Sequence, residues 1–258
     1  TALDADDAER IYNGSVRSVD LLFDEPPGQD LFLDETANFN DATCSGDACP
    51  DGGVPGRANQ AARFDGGVAD DDGDDGVADY LSLRTAADLA MHDDGFTAMA
   101  WVRADALSGD RAILGDASTD ASGQGTSLFL GLRNGTPRME FGGTSTTQTS
   151  STVVPVGEWH HVAFRYRLNG PGVTDTMAMF VDGVQVAASG TSSKDPYLGT
   201  TNLEIGRARG AKAFDGLIDH LVIVKTALSA AQIQRVMAES PSLNLHFDED
   251  LDTTTFAD

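Results

Sequence analysis

Lysine is almost missing from this sequence. Three residues, Lys194, Lys212 and Lys225, together with 14 arginines, face 41 acidic residues, which leaves a net charge of −24. Nucleic acid and anionic membrane surfaces are excluded as partners, because the phosphate attraction that dominates such contacts would be reversed in sign. No run of 18 apolar residues occurs, so the sequence predicts no membrane insertion, and no leader peptide is visible. Cysteine is limited to Cys44 and Cys49, too few for a zinc site, which would usually need about four ligands with a second pair nearby. Glutamate is scarce too, with 8 residues against 33 Asp.

What is present starts from that imbalance. An acidic surface solvates a soluble protein, but a general adaptation to salt would raise Glu along with Asp. The Asp bias and its clustering therefore point toward calcium held in loops, with surface solvation as the alternative. Cys44 and Cys49 read as a local disulfide, which places the protein outside the cytosol, secreted or on a cell surface. Closing so short a loop adds only about 2 kcal/mol by the chain-entropy estimate; it pins a turn and does not hold up the fold.

The sequence also repeats itself. TALDADDAERIY (residues 1–12) returns as TALSAAQIQRVM (226–237), an offset of 225 residues. Phe23-Asp24-Glu25 returns as Phe247-Asp248-Glu249, and Asp34 returns as Asp258, an offset of 224. Self-similarity at a fixed period marks tandem arrays. Residues 1–18 are accordingly read as the closing helix and linker of a preceding repeat, 19–240 as one domain, and 241–258 as the start of the next repeat. Ser229 with Gln232 forms a capping-box pattern ahead of Ile233, Val236 and Met237 on one helical face. Residues 1–13 are expected to form the equivalent helix, and Leu243 to Phe247 the equivalent of a first strand over Val19 to Phe23.

The body between these ends is all-β. Short apolar runs with turn residues every eight to twelve positions predict strands at Val19–Phe23, Ala61–Phe64, Tyr80–Leu83, Phe96–Arg103, Ala112–Gly115, Ser127–Leu132, Arg138–Phe141, His160–Tyr166, Met177–Val181, Val184–Ala188, Asn202–Gly206 and Phe214–Val224. Asp182-Gly183 between alternating apolar residues is a hairpin signal, since both turn positions tolerate positive φ. Asn13-Gly-Ser and Asn134-Gly-Thr fit the glycosylation pattern but read as turns. Such a list means a two-sheet antiparallel sandwich with short helices at the domain ends, and 40% apolar content suffices for its core.

Four segments in fixed order resemble the laminin-G-like, concanavalin A-like jelly rolls of the bacterial secreted, pentraxin-related kind. They are Leu22-Phe-Asp-Glu25 with Asp34; Ala62-Arg-Phe-Asp-Gly66; Gly157-Glu-Trp-His-His-Val-Ala163 with Phe180-Val-Asp-Gly183; and Phe214-Asp-Gly-Leu-Ile-Asp219 running into Ala227-Leu-Ser229. The resemblance implies a jelly roll. It also implies a calcium site at Asp34, Asn38 and Asn40 in the first loop with Asp219 on the last core strand, because first and last strands of a jelly roll can be neighbours. Two departures stand out: His220 occupies a position where a second acidic residue commonly follows Asp219, and the stretch after Phe-Asp-Gly is swollen to residues 67–78. That insert carries Asp70, Asp72 and Asp74, a second calcium candidate with alternate side chains spaced as in calcium loops but without the sixth-position Gly and twelfth-position Glu of an EF-hand.

Catalysis has no visible apparatus. The Glu-x-Asp-x-x-Glu string of glucanase relatives is absent, as is a Gly-x-Ser-x-Gly elbow. His160-His161 beside Trp159 reads as one ring toward the core edge and one toward solvent. Trp101 and Trp159 lie in apolar strands rather than as sugar platforms, and Tyr197 alone among the tryptophans and tyrosines has a loop context. The expectation is a non-catalytic extracellular repeat module of a large adhesive, surface or filament-forming protein, stabilised by calcium and partnered by neighbouring repeats or other copies of itself. The alternative is a calcium-dependent, lectin-like glycan-binding module, attached to a hydrolase in one form of that reading.

Overall fold

Sixteen strands are present among the described residues of the computed structural model, which describes residues 16–67, 77–86, 88–91, 95–116, 128–141, 146–169, 176–189, 201–209 and 212–239. In chain order they are β1 (Arg17–Leu21), β2 (Leu31–Phe32), β3 (Ala42–Thr43), β4 (Asp51–Pro55), β5 (Gln60–Asp65), β6 (Leu81–Thr85), β7 (Gly95–Ala104) and β8 (Asp110–Asp116). There follow β9 (Leu128–Arg133), β10 (Thr136–Phe141), β11 (Thr146–Thr149), β12 (His160–Arg167), β13 (Thr176–Val181), β14 (Val184–Ser189), β15 (Asn202–Ile205) and β16 (Asp215–Val224). A helix, α1 (Ala230–Ala238), closes the described chain. All twelve predicted strands are present within a few residues of their expected ends. Four short ones, β2, β3, β4 and β11, are additional.

The strands form two eight-stranded antiparallel sheets. The first runs β14-β13-β12-β7-β16-β5-β4, with β1 beside β16; the second runs β11-β10-β9-β8-β15-β6-β3-β2. Facing side chains such as Phe23, Phe32, Phe64, Phe96, Phe164 and Tyr166 fill the space between them, all 2% exposed or less. Asp182 and Gly183, with φ of 50° and 72°, make the predicted tight turn between β13 and β14. Asn134 and Gly135, at 48° and 80°, make the corresponding turn between β9 and β10.

β16 takes two partners along one edge, β5 for its first half (Ile218 opposite Ala62) and β1 for its second (Leu221 opposite Leu21). First and last strands are thus neighbours, as the jelly-roll resemblance implied. Between the two halves the register to β7 shifts at Asp219 to Val222, and His220 adopts a φ of +45°. Such a bulge absorbs one residue. Ile218, Leu221 and Ile223 consequently all reach the inner core, while Asp219, Val222 and Val224 face outward.

That outer face is roofed by α1. Leu228, Ile233 and Val236 pack with Met99, Ala163, Ala178 and Phe180 in a second apolar cluster. The capping box is formed: the Ser229 hydroxyl accepts from the Gln232 N–H, and the Ser229 N–H donates to Gln232 Oε1 at 2.8 Å. Arg17, at the start of β1, pairs with Glu239 just after α1, so the first and last described segments meet at one corner. Cys44 and Cys49 are disulfide-bonded, their Cα atoms 5.1 Å apart, around a single 3-10 turn. The expected helix over 1–13 and the strand over 243–247 lie outside the described residues.

Candidate functional site

Side chains two apart on a strand share a face, and cross-strand partners sit side by side. On the outer face of the first sheet this places His161 (β12), Trp101 (β7) and Asp219 (β16) in one row, each paired with the next. The His161 ring meets Trp101 edge-on with centroids 5.4 Å apart. Arg57, from the loop before β5, lays its guanidinium over Trp101 at 4.7 Å. Asp219 Oδ2 accepts the Arg57 and Ala58 N–H groups at 2.7 and 3.1 Å. Arg57, Ala58, Trp101 and Asp219, with His220 and the C-terminal end of α1 (Met237, Ala238 and the following Glu239), line a cavity of about 90 Å³.

Burial sets the chemistry of this row. Asp219 is 3% exposed, and desolvation pushes its carboxyl up to about 6, against the opposing pull of the two N–H bonds and His220. His161 is 2% exposed and goes the other way, down to about 3, because desolvation and the neighbouring His220 outweigh Asp182. His161 is therefore neutral at physiological pH, and its Nδ1 has no hydrogen-bond partner among the described residues. His220 Nε2 contacts Asp20 Oδ1 at 3.1 Å. Burial of Asp20 would raise its carboxyl, but His220 and Arg17 together hold it below the usual carboxylate range. A cavity of about 90 Å³ admits several waters or the tip of one side chain; ligand pockets begin near roughly 300 Å³.

The other predicted site residues fall into separate sets. Asp34, Asn38 and Asn40 are brought together, but as a loop staple. Asp34 Oδ1 accepts the Asp20 and Thr36 N–H groups at 2.8 and 3.1 Å, and Oδ2 accepts the Thr36 hydroxyl and the Asn40 N–H at 2.7 and 2.8 Å. Asn38 and Asn40 turn amide N–H groups, not oxygens, toward the carbonyls of Arg17 and Ser18. This arrangement does not fit a cation: four donors already take both Asp34 oxygens, and Asp219 is committed to the Arg57 loop. Among the described residues no three His, Cys, Asp or Glu side chains gather as a metal group. Asp70, Asp72 and Asp74 lie outside the described residues, as does Tyr197. The base of their insert is closed by Asp65 and Asp79, each of which accepts the other's backbone N–H at 3.1 and 3.0 Å.

Trp101 and Asp219 were legible individually, but not as partners. Arg57 carried no signal, since its role depends on a loop folding over the sheet. The shared geometry of two antiparallel sheets has a counterpart in sequence. A laminin-G-type family model, described as the concanavalin A-like lectin/glucanases superfamily, matches residues 74–234. The chain belongs to this superfamily. Among solved superfamily-like folds, domain 4 of AbnA, an extracellular arabinanase from Geobacillus stearothermophilus, was determined in complex with arabinotriose. It is 21% identical with a TM-score of 0.59, covering 85% of this chain and 97% of that domain. The binding domain of Paraclostridial Mosquitocidal Protein 1 is 11% identical with a TM-score of 0.62, covering 86% of this chain but 52% of that one. Trypanosoma rangeli sialidase is 18% identical with a TM-score of 0.57, and this chain spans 32% of its length. No curated protein matches the sequence.

Proposed function

We propose that this chain is a non-catalytic module of a larger extracellular protein, one unit of a tandem series. The observation that carries this reading is the echo of residues 1–12 in 226–237, whose second copy includes most of the helix that roofs the domain's own sheet. A unit that ends in such a helix, in a chain that also begins with its counterpart, is what a series requires. The disulfide supports an oxidising compartment, and a cavity this small, whose carboxylates Asp219 and Glu239 are bonded to the Arg57 loop and to Arg17, supports a non-catalytic role. Mass determination of the native polypeptide tests the reading; a protein of one unit's mass would sink it.

A glycan-binding role is the second reading, favoured by the likeness to an arabinanase domain solved with arabinotriose. In that reading calcium held by the acidic insert, at Asp70, Asp72 and Asp74, would bridge sugar hydroxyls. A glycan array run in calcium and in chelator separates it from the first.

A further inference from the structure

Phe39 is the most exposed large apolar side chain among the described residues, at 72%. Its φ is +52°, a left-handed conformation that a bulky L-residue adopts only against steric resistance. Exposure and backbone both disfavour phenylalanine at this position, where glycine or asparagine would fold with less strain. The loop is nevertheless held firmly: Asp34 fastens both Thr36 and Asn40, and Asn38 is tied to the Arg17 carbonyl at 2.9 Å. A strained apolar residue kept 72% exposed points to use outside its own domain. Leu31 and Leu33, flanking the buried Phe32 on and just after the edge strand β2, are each 41% exposed as well.

The place of this patch identifies its partner. Asn38 binds Arg17, and Arg17 pairs with Glu239, so the loop abuts the corner where the first and last described segments meet. By the offset of the two echoes, Leu243 corresponds to Val19, which leaves only three residues between Glu239 and the next first strand. On the tandem reading, consecutive units are joined by this short linker alone and meet near this corner. We propose that Phe39, with Leu31 and Leu33, is the anchor by which one unit docks on the adjacent unit of the same chain, a second copy of this fold. The inference rests on the tandem reading. Adjacent units see each other at millimolar effective concentration, so a contact weak between free copies suffices along the chain.

Sedimentation velocity on the 258-residue chain, from about micromolar to about millimolar concentration, tests this. Salt of about 1 M shortens the Debye length to about 3 Å and removes most of the repulsion between copies of charge −24. Concentration-dependent dimers are expected, and Phe39→Gly should weaken them by about tenfold or more without lowering the thermal midpoint, because glycine tolerates the left-handed φ. A chain monomeric throughout, or dimers indifferent to Phe39→Gly, overturns the proposal. So does a midpoint that falls on substitution, which would mean that Phe39 packs within its own domain, or a loss of glycan-array binding with self-association unchanged, which would make the ring a sugar platform. The tandem reading stands or falls separately, on the native mass.

Discussion

Asp219 and His161 flank Trp101 on one face of the sheet, and the same burial moves their protonation in opposite directions. Asp219 binds its proton more tightly folded than unfolded, so its contribution to stability is full below about pH 4 and is lost as pH rises toward 6. At roughly two units this is about 3 kcal/mol. His161 binds its proton less tightly folded than unfolded, so its contribution grows as pH rises from about 3 to 6.5. Between about pH 4 and 6 the two offset one another. Asp219→Asn keeps an acceptor for the Arg57 loop and removes one side of that balance. The variant's unfolding free energy, read from urea titrations, is therefore expected to climb with pH across this window more steeply than the parent's, by up to about 3 kcal/mol in total. Parallel profiles at pH 4, 5, 6 and 7 would refute the assignment. The Asp bias that the sequence displays so openly finds part of its reason here: Asp24, Asp34, Asp65, Asp79, Asp182 and Asp219 each accept backbone N–H groups at loop corners. A short carboxylate does this where the longer Glu would overshoot, and composition alone cannot distinguish it from solvation or metal binding.

Among the elements, α1 contributes little propensity of its own at nine residues, since isolated helices this short are marginal in water. Packing and capping hold it. Ile233→Ala should cost about 2–4 kcal/mol, as a fully buried side chain at the centre of the outer cluster, whereas Ser229→Ala should cost about 1 kcal/mol by removing one capping bond. Urea unfolding followed by Trp fluorescence measures both; equal effects would mean that the cap, not the burial, carries the helix. The long strands were readable because β7 and β16 bury almost every residue, β12 buries five of its eight, and all three leave apolar runs. The four additional strands had no such pattern: β2 and β3 are two residues each, β4 reads Asp-Gly-Gly-Val-Pro, and β11 reads Thr-Thr-Gln-Thr. Beyond single buried side chains such as Phe32 and Ala42, they are specified by their neighbours' unpaired backbone groups. The bulge at His220 was equally silent. A non-Gly residue at φ +45° is paid for by the Asp20 contact two hundred residues away, which no local window contains.

For the whole molecule the question is how a chain of charge −24 stays folded, and calcium is the proposal that the hydrogen-bond geometry sharpens. An ion that binds only the native state stabilises it by mass action, so the thermal midpoint should rise with calcium and fall with chelator. The sequence assigned that response to Asp34 and Asp219. In the folded chain Asp34 gives four donors their acceptor without any ion. Asp34→Ala should therefore destabilise by about 2 kcal/mol or more, the cost of buried donors left unpaired, and should do so equally in calcium and in chelator. The acidic insert differs, because a hard cation wants about six to eight oxygens and this is the densest run of carboxylates in the sequence. Replacing Asp70, Asp72 and Asp74 together by Asn should remove the difference between calcium and chelator. It should also raise the chelator midpoint, since like charges are then relieved of mutual repulsion. Differential scanning calorimetry of the two variants separates the roles. A calcium response that survives the triple replacement and disappears with Asp34→Ala would return the ion to the first loop, and would require the staple to open when it binds.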